Sequence, residues 1–201
     1  MPTLSLLPRA PARAMVPLLP DAGLAQGRVH EICGPARRSL ALWIAGLMQG
    51  PVIWIRPAWQ ADRLHPEGVY RFVDPVRILT VSPERAEDLL WVMEEALRDG
   101  CVPLVVGDLI VPPALTPVRR LHLAAEQAVE NGGRQAGPLG LLLCPGDGGA
   151  QGVESRWHMA PAHEPGRERW HVQRRRARAA PPRAWVVAQD RPRAAPRPLR
   201  D

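Results

Sequence analysis

Four short, nearly unbroken apolar runs lie between stretches of helical periodicity, and this alternation constrains the fold more than any other feature of the chain. They are Pro51-Val52-Ile53-Trp54-Ile55, Ile78-Leu79-Thr80-Val81, Val102-Pro103-Leu104-Val105-Val106-Gly107-Asp108, and the run at 139–144. Their length and lack of alternation are those of strands buried on both faces. Such strands need helices on both sides, so the expected fold class is α/β, a mostly parallel sheet flanked by helices.

The rest of the chain fits that frame. Gly27-Arg28-Val29-His30-Glu31-Ile32-Cys33 reads as a strand entering a Gly34-Pro35 turn, after which Leu40, Ala41, Ile44, Leu47 and Met48 recur at helical spacing. Ser82, Pro83 and Glu84 predict a helix start there, with Ala86, Leu89, Leu90, Met93, Ala96 and Leu97 as its apolar stripe and Gly100 as its stop. Another helix is expected from Thr116-Pro117 to a stop at Asn131-Gly132-Gly133. After Pro145 the pattern changes. Residues 145–152 are glycine-rich and read as a flexible loop. Arg156-Trp157-His158-Met159 then recurs as Arg169-Trp170-His171-Val172, which predicts two adjacent antiparallel strands, with 184–188 as a third.

Length allows one domain with a core but not two. The 24 prolines crowd the two ends, so residues 1–25 are expected to be a proline-rich, poorly packed segment, 26–188 the domain, and 189–201 a disordered basic tail. No apolar run reaches the ~18 residues of a membrane span, and prolines interrupt the apolar patches of 1–20, which argues against a secretory signal. Cys33, Cys101 and Cys144 are odd in number and far apart, a pattern that indicates neither a disulfide framework nor a zinc site and fits a reduced, cytoplasmic setting.

Every one of the 26 basic residues is arginine, because the chain contains no lysine. Residues 1–165 hold 15 arginines against 17 acids, whereas 166–201 hold 11 against Glu168, Asp190 and Asp201. The basicity therefore belongs to the C-terminal part.

A strand, a Gly-Pro turn and a helix direct backbone N–H groups at one point, which suits an anion. Hydrolysis of a nucleotide needs more: a glycine-rich turn that wraps the phosphates, a lysine on the reacting end and a Ser or Thr on magnesium. The segment here is Gly34-Pro35-Ala36-Arg37-Arg38-Ser39, with no second glycine and no lysine. Neither Arg37 nor Arg38 replaces the compact ammonium, since guanidinium is a planar fork. Ser39 remains as a conceivable magnesium ligand, and Asp108 ends an apolar strand where a metal-orienting carboxylate would stand. The strand at 51–55 leads into Arg56-Pro57 where a catalytic glutamate is wanted. The loop reads as degenerate. No catalytic residue, cofactor or metal is expected, although weak ATP binding stays compatible with the residues.

The strand and turn from Gly27 to Pro35 resemble the opening of RecA with a shortened following loop. Residues 27–185 as a whole resemble the ImuA family, RecA-like bacterial proteins of DNA-damage-induced (SOS) mutagenesis. The matching segments are Pro51-Val52-Ile53-Trp54-Ile55, Leu89-Leu90-Trp91, Glu94-Glu95-Ala96-Leu97, Leu115-Thr116-Pro117-Val118-Arg119-Arg120-Leu121, and Gly152-Val153-Glu154-Ser155-Arg156-Trp157. The resemblance implies a RecA-like fold and a non-catalytic partner of an ImuB-like protein and an error-prone polymerase in translesion synthesis. Its relation to SulA keeps a cell-division inhibitor as another binding role.

Other constellations divide between chemistry and plain structure. Arg174-Arg175-Arg176-Ala177-Arg178 is the nucleic-acid candidate: on a regular strand Arg174, Arg176 and Arg178 share one face and can follow a phosphate backbone. The alternative is a solvated basic edge that guards the sheet against aggregation. His30 and Cys33, three apart on a strand, should point to opposite faces and form no catalytic pair. Cys144, His158 and His163 lack metal-ligand spacing. Glu87-Asp88 and Glu94-Glu95 read as a solvated helix face. Trp54 and Trp91 sit in core patterns, with Trp43 and Trp59 as candidate surface anchors.

Overall fold

The computed structural model of the chain describes residues 13–130, 136–189, 192–194 and 197–199. Its elements run β1 (Met15–Leu19), β2 (Ala22–Ala25), β3 (Val29–Cys33), α1 (Arg37–Leu47), β4 (Val52–Ile55), α2 (Pro66–Tyr70), β5 (Ile78–Val81), α3 (Ala86–Asp99) and β6 (Leu104–Asp108). They continue with α4 (Leu115–Glu130), β7 (Leu139–Leu143), β8 (Ser155–Pro161), β9 (Arg169–Ala177), β10 (Arg183–Ala188) and β11 (Arg197–Pro198).

Nine strands form one sheet in the order β11-β10-β9-β8-β3-β7-β6-β4-β5. From β5 to β8 the neighbours pair in parallel. β9, β10 and β11 then add an antiparallel extension. The chain is thus α/β, with a large, mostly parallel mixed sheet flanked by helices.

Strand alternation sorts the core into two layers. Val52, Trp54, Leu104, Val106, Leu141 and Ile32 face α1, while Ile53, Ile55, Val105, Leu142 and Cys144 face α3 and α4. His30 and Cys33 do point to opposite faces. His30 bonds Ser155 and the Ala25 carbonyl on the α1 side, and Cys33 lies beside Glu31 on the other.

Several expectations need correction. The N-terminal segment is not poorly packed from residue 15 onward: β1 and β2 form a hairpin that buries Val16, Leu18, Leu19, Ala22 and Leu24 against α1. This hairpin roofs α1, and residues 40–45 of that helix are all buried. Trp43 is also core, 2% exposed, with its ring edge-on to Phe72 and Trp170. Trp91 is the exposed one, at 56%; on α3 it lies about 200° from Leu89, outside the Leu89, Met93, Leu97 stripe. Trp54 is buried and Trp59 half exposed, as read.

Helix α3 begins at Ala86, not at Ser82, and Arg85 precedes it in an extended conformation. The cause is tertiary. Arg56 and Ala58 donate their N–H groups to the carbonyls of Val81 and Pro83, which prolongs strand-like pairing past the end of β5. The helix closes at Gly100, at φ 71°. Glu94 is not solvated: it is buried and ties Arg98 of its own helix to Arg120 of α4. The expected stop at Asn131-Gly132-Gly133 lies outside the described residues. Of the expected tail, Arg197–Pro198 pairs with β10, and residues 190, 191, 195, 196, 200 and 201 lie outside them.

Candidate functional site

In open parallel sheets the carboxyl ends of the strands form the ligand crevice, and here that edge gathers the Gly34 turn, Arg56, Asp108 and Cys144. The turn is held tightly. Gly34 has φ 89°, and a Cβ there would stand 2.5 Å from the Met159 carbonyl and 2.7 Å from the His158 ring. β8, the parallel neighbour of β3, brings both groups against the turn.

That approach occupies the amides an anion would use. Gly34 N–H donates to Gly146 O at 2.9 Å, Ala36 N–H to Met159 O at 3.0 Å, and Arg37 N–H to Gly34 O at 3.2 Å. Pro35 has no N–H. Helix α1 starts with neither a side-chain cap nor an acidic residue in its first turn, so the closure lies in the turn rather than at the helix N-terminus.

Asp108, at the end of β6, is 2% exposed, and Arg38 Nε donates to its Oδ2 at 2.6 Å. Arg38 also reaches Asp62 at 3.7 Å. The loop's own guanidinium therefore stands on the carboxylate oxygen that would orient a metal. Asp108 Oδ1 and Arg38 Nη2 are buried without a hydrogen-bond partner among the described residues. Arg56, where the glutamate would be, is buried and donates to the Gln60 carbonyl. Ser39 lines a cleft of about 320 Å³ with Arg63, His65, Arg71 and Trp170. At the end of β7, burial and the neighbouring Glu31 carboxylate push the Cys144 thiol up.

The sequence reading missed Glu31. This carboxylate, 0% exposed, accepts from Gly149 N–H at 2.7 Å and Ala150 N–H at 2.9 Å and from Arg156 Nε. Arg156 Nη2 continues to Ala150 O at 3.0 Å. Gly148 has φ 78°, and a Cβ on it would stand 2.6 Å from Glu31 Oε1. The glycine-rich loop expected to be flexible is thus wrapped around an internal anion. A lone acid in an otherwise apolar strand, with a Gly-rich loop elsewhere in the chain, was the available signal. Burial and the same carboxylate raise the Cys33 thiol to about 11.

The arginine run does not lie on one face. A β-bulge shifts the register so that Arg156 pairs with Arg176 but Trp157 with Arg174, which sends Arg174 to the opposite side. Arg174 is 7% exposed, donates to Pro181 O at 3.1 and 3.0 Å and lies over the Trp157 and Trp185 rings. Arg175 reaches Asp147 at 2.8 Å, Arg176 is exposed, and Arg178 lies 3.6 Å from Glu154.

Among the described residues no cluster of three or more His, Cys, Asp or Glu could hold a metal, and no helix is long and apolar enough to cross a membrane. No protein-family model and no curated protein matches the chain.

Proposed function

We propose that this chain is a RecA-like, non-catalytic accessory protein of DNA-damage-induced translesion synthesis. It works in the cytoplasm, by binding an ImuB-like protein and an error-prone polymerase, without a cofactor. The observation that carries the non-catalytic part is that the crevice is filled from within. The turn amides are taken by the carbonyls of Gly146 and Met159, and Asp108 is held by Arg38. The family resemblance carries the choice of partners. The turn strand β3 and the carboxylate strand β6 flank β7 and end at one edge of a mostly parallel sheet, which supports this reading. This is the pattern of a scaffold retained for its surface.

Trp59 and Trp91 supply exposed aromatic area of the kind that anchors protein interfaces. The test is capture of the purified chain on an immobilised ImuB-like protein, with and without ATP. A complex at micromolar concentration, indifferent to ATP and weakened by Trp59→Ala or Trp91→Ala, is expected. No complex at that concentration overturns the partner assignment.

A further inference from the structure

The sheet is covered unequally. α3 packs on β4 and β6 and α4 on β3 and β7, whereas α1 reaches β8 from the opposite face. Among the described residues no helix packs extensively on β8, β9 and β10 on the side that carries Glu31. On that side the register sets Arg156 and His158 of β8 beside Arg176 and Gln173 of β9, with His171 and Val186 next to one another beyond them.

The chemistry of this face is polyanion-binding. On β10 its apolar residues, Ala184 and Val186, are small, and the larger Leu115 and Leu123 stand only at its α4 margin. Arg176 is exposed, and beyond it Arg178 and Arg119 of α4 line a cavity of about 410 Å³ with Arg28 and His122. Two other arginines on this side are already committed: Arg156 to Glu31, and Arg28 to Glu126 and Glu154. Opposing the remaining four arginines are Glu154, shared between Arg28 and Arg178, and Asp147, which is 83% exposed and holds Arg175 from solvent. An exposed pair of that kind gives way readily to a stronger anion.

We infer that this face binds single-stranded nucleic acid, with phosphates on Arg119, Arg175, Arg176 and Arg178 and a base against His171. Residues two apart in an extended chain are about 6.6 Å apart, so Arg176 and Arg178 meet successive anions. Unstacked bases pack on imidazole and guanidinium planes, which a duplex does not offer its bases to. No base edge is read, so binding is independent of sequence. This site is separate from the closed crevice and from capture of a polymerase partner, and the two readings fail independently.

Fluorescence anisotropy of a labelled oligothymidylate with the full chain, over a salt series, tests it. Four contacts predict a log–log slope of about −2.8, each contributing about −0.7. Changing Arg119, Arg175, Arg176 and Arg178 together to glutamine should abolish the slope and weaken binding about tenfold or more at low salt. Changing Arg63 and Arg85, exposed elsewhere, should leave the slope unchanged, and all variants should melt as the parent does. Three results overturn the inference: a fourfold variant that binds like the parent, duplex bound more tightly than single strand at equal salt, or equal four-arginine-dependent capture on phosphatidylglycerol vesicles.

Discussion

Arg38 and Asp108 form a partly buried ion pair, the carboxylate enclosed and the guanidinium a quarter exposed, whose two members come from the turn and from a strand end. Because Asp108 is almost wholly enclosed, removing its partner leaves a charge without compensation. Arg38→Ala should therefore destabilise the fold by about 3 kcal/mol, read as a lower urea midpoint with unchanged m-value. An unchanged midpoint would mean that the pair does not close the crevice. The two buried histidines make a second prediction. His122 Nδ1 accepts from Val29 N–H at 3.2 Å and its Nε2 faces Gly152 O at 3.2 Å, a pattern only the neutral ring satisfies. His30 is enclosed between Ser155 Oγ and the Ala25 carbonyl. Burial lowers both from 6.5 to about 4. In the window between those values the unfolded chain binds protons that the folded chain does not, so stability is complete above pH 6.5 and falls as pH drops toward 4. For His30 the loss amounts to about 3 kcal/mol. Denaturation series at pH 7 and pH 4.5 should show it, and His30→Gln should flatten the dependence.

At the scale of elements, the β3–α1 turn is fixed by one glycine. Gly34→Ala has to relieve both a positive φ and a Cβ at 2.5 Å from a carbonyl, which should cost about 2 kcal/mol or more. A melting temperature equal to the parent's would show that the turn can open away from β8. The parallel strands were legible in the sequence because β4, β6 and β7 are buried on both faces and carry continuous apolar runs. Gly100 was legible because a helix stop there needs positive φ. What escaped the sequence was set by partners distant along the chain. The start of α3 yields to pairing of the 56–58 segment with Val81 and Pro83. Trp43 is buried against Phe72 and Trp170, which lie far along the chain, and the N-terminal hairpin was disguised by its prolines. Glu31 is neutral in pattern until Gly149, Ala150 and Arg156 close on it. The bulge that separates Arg174 from Arg176 leaves no trace in a run of like residues. The candidate phosphate turn lacks lysine by sequence alone, but that Arg38 would seat itself on Asp108 depended on a contact 70 residues away.

For the whole molecule, the sheet divides into a parallel part packed between helices and an antiparallel part packed on one side only. The first ends in an edge where the turn amides meet the carbonyls of Gly146 and Met159 and Arg38 stands on Asp108. The second presents arginines to solvent. On the function proposed here, a molecule so divided makes its contacts at the surface rather than in the crevice. Titrating magnesium ATP into the full chain, with phosphate release followed in parallel, tests the closed crevice most directly. The account predicts no saturable heat and no release above a protein-free control. Magnesium-dependent hydrolysis that scales with the protein and disappears in Asp108→Ala would contradict it.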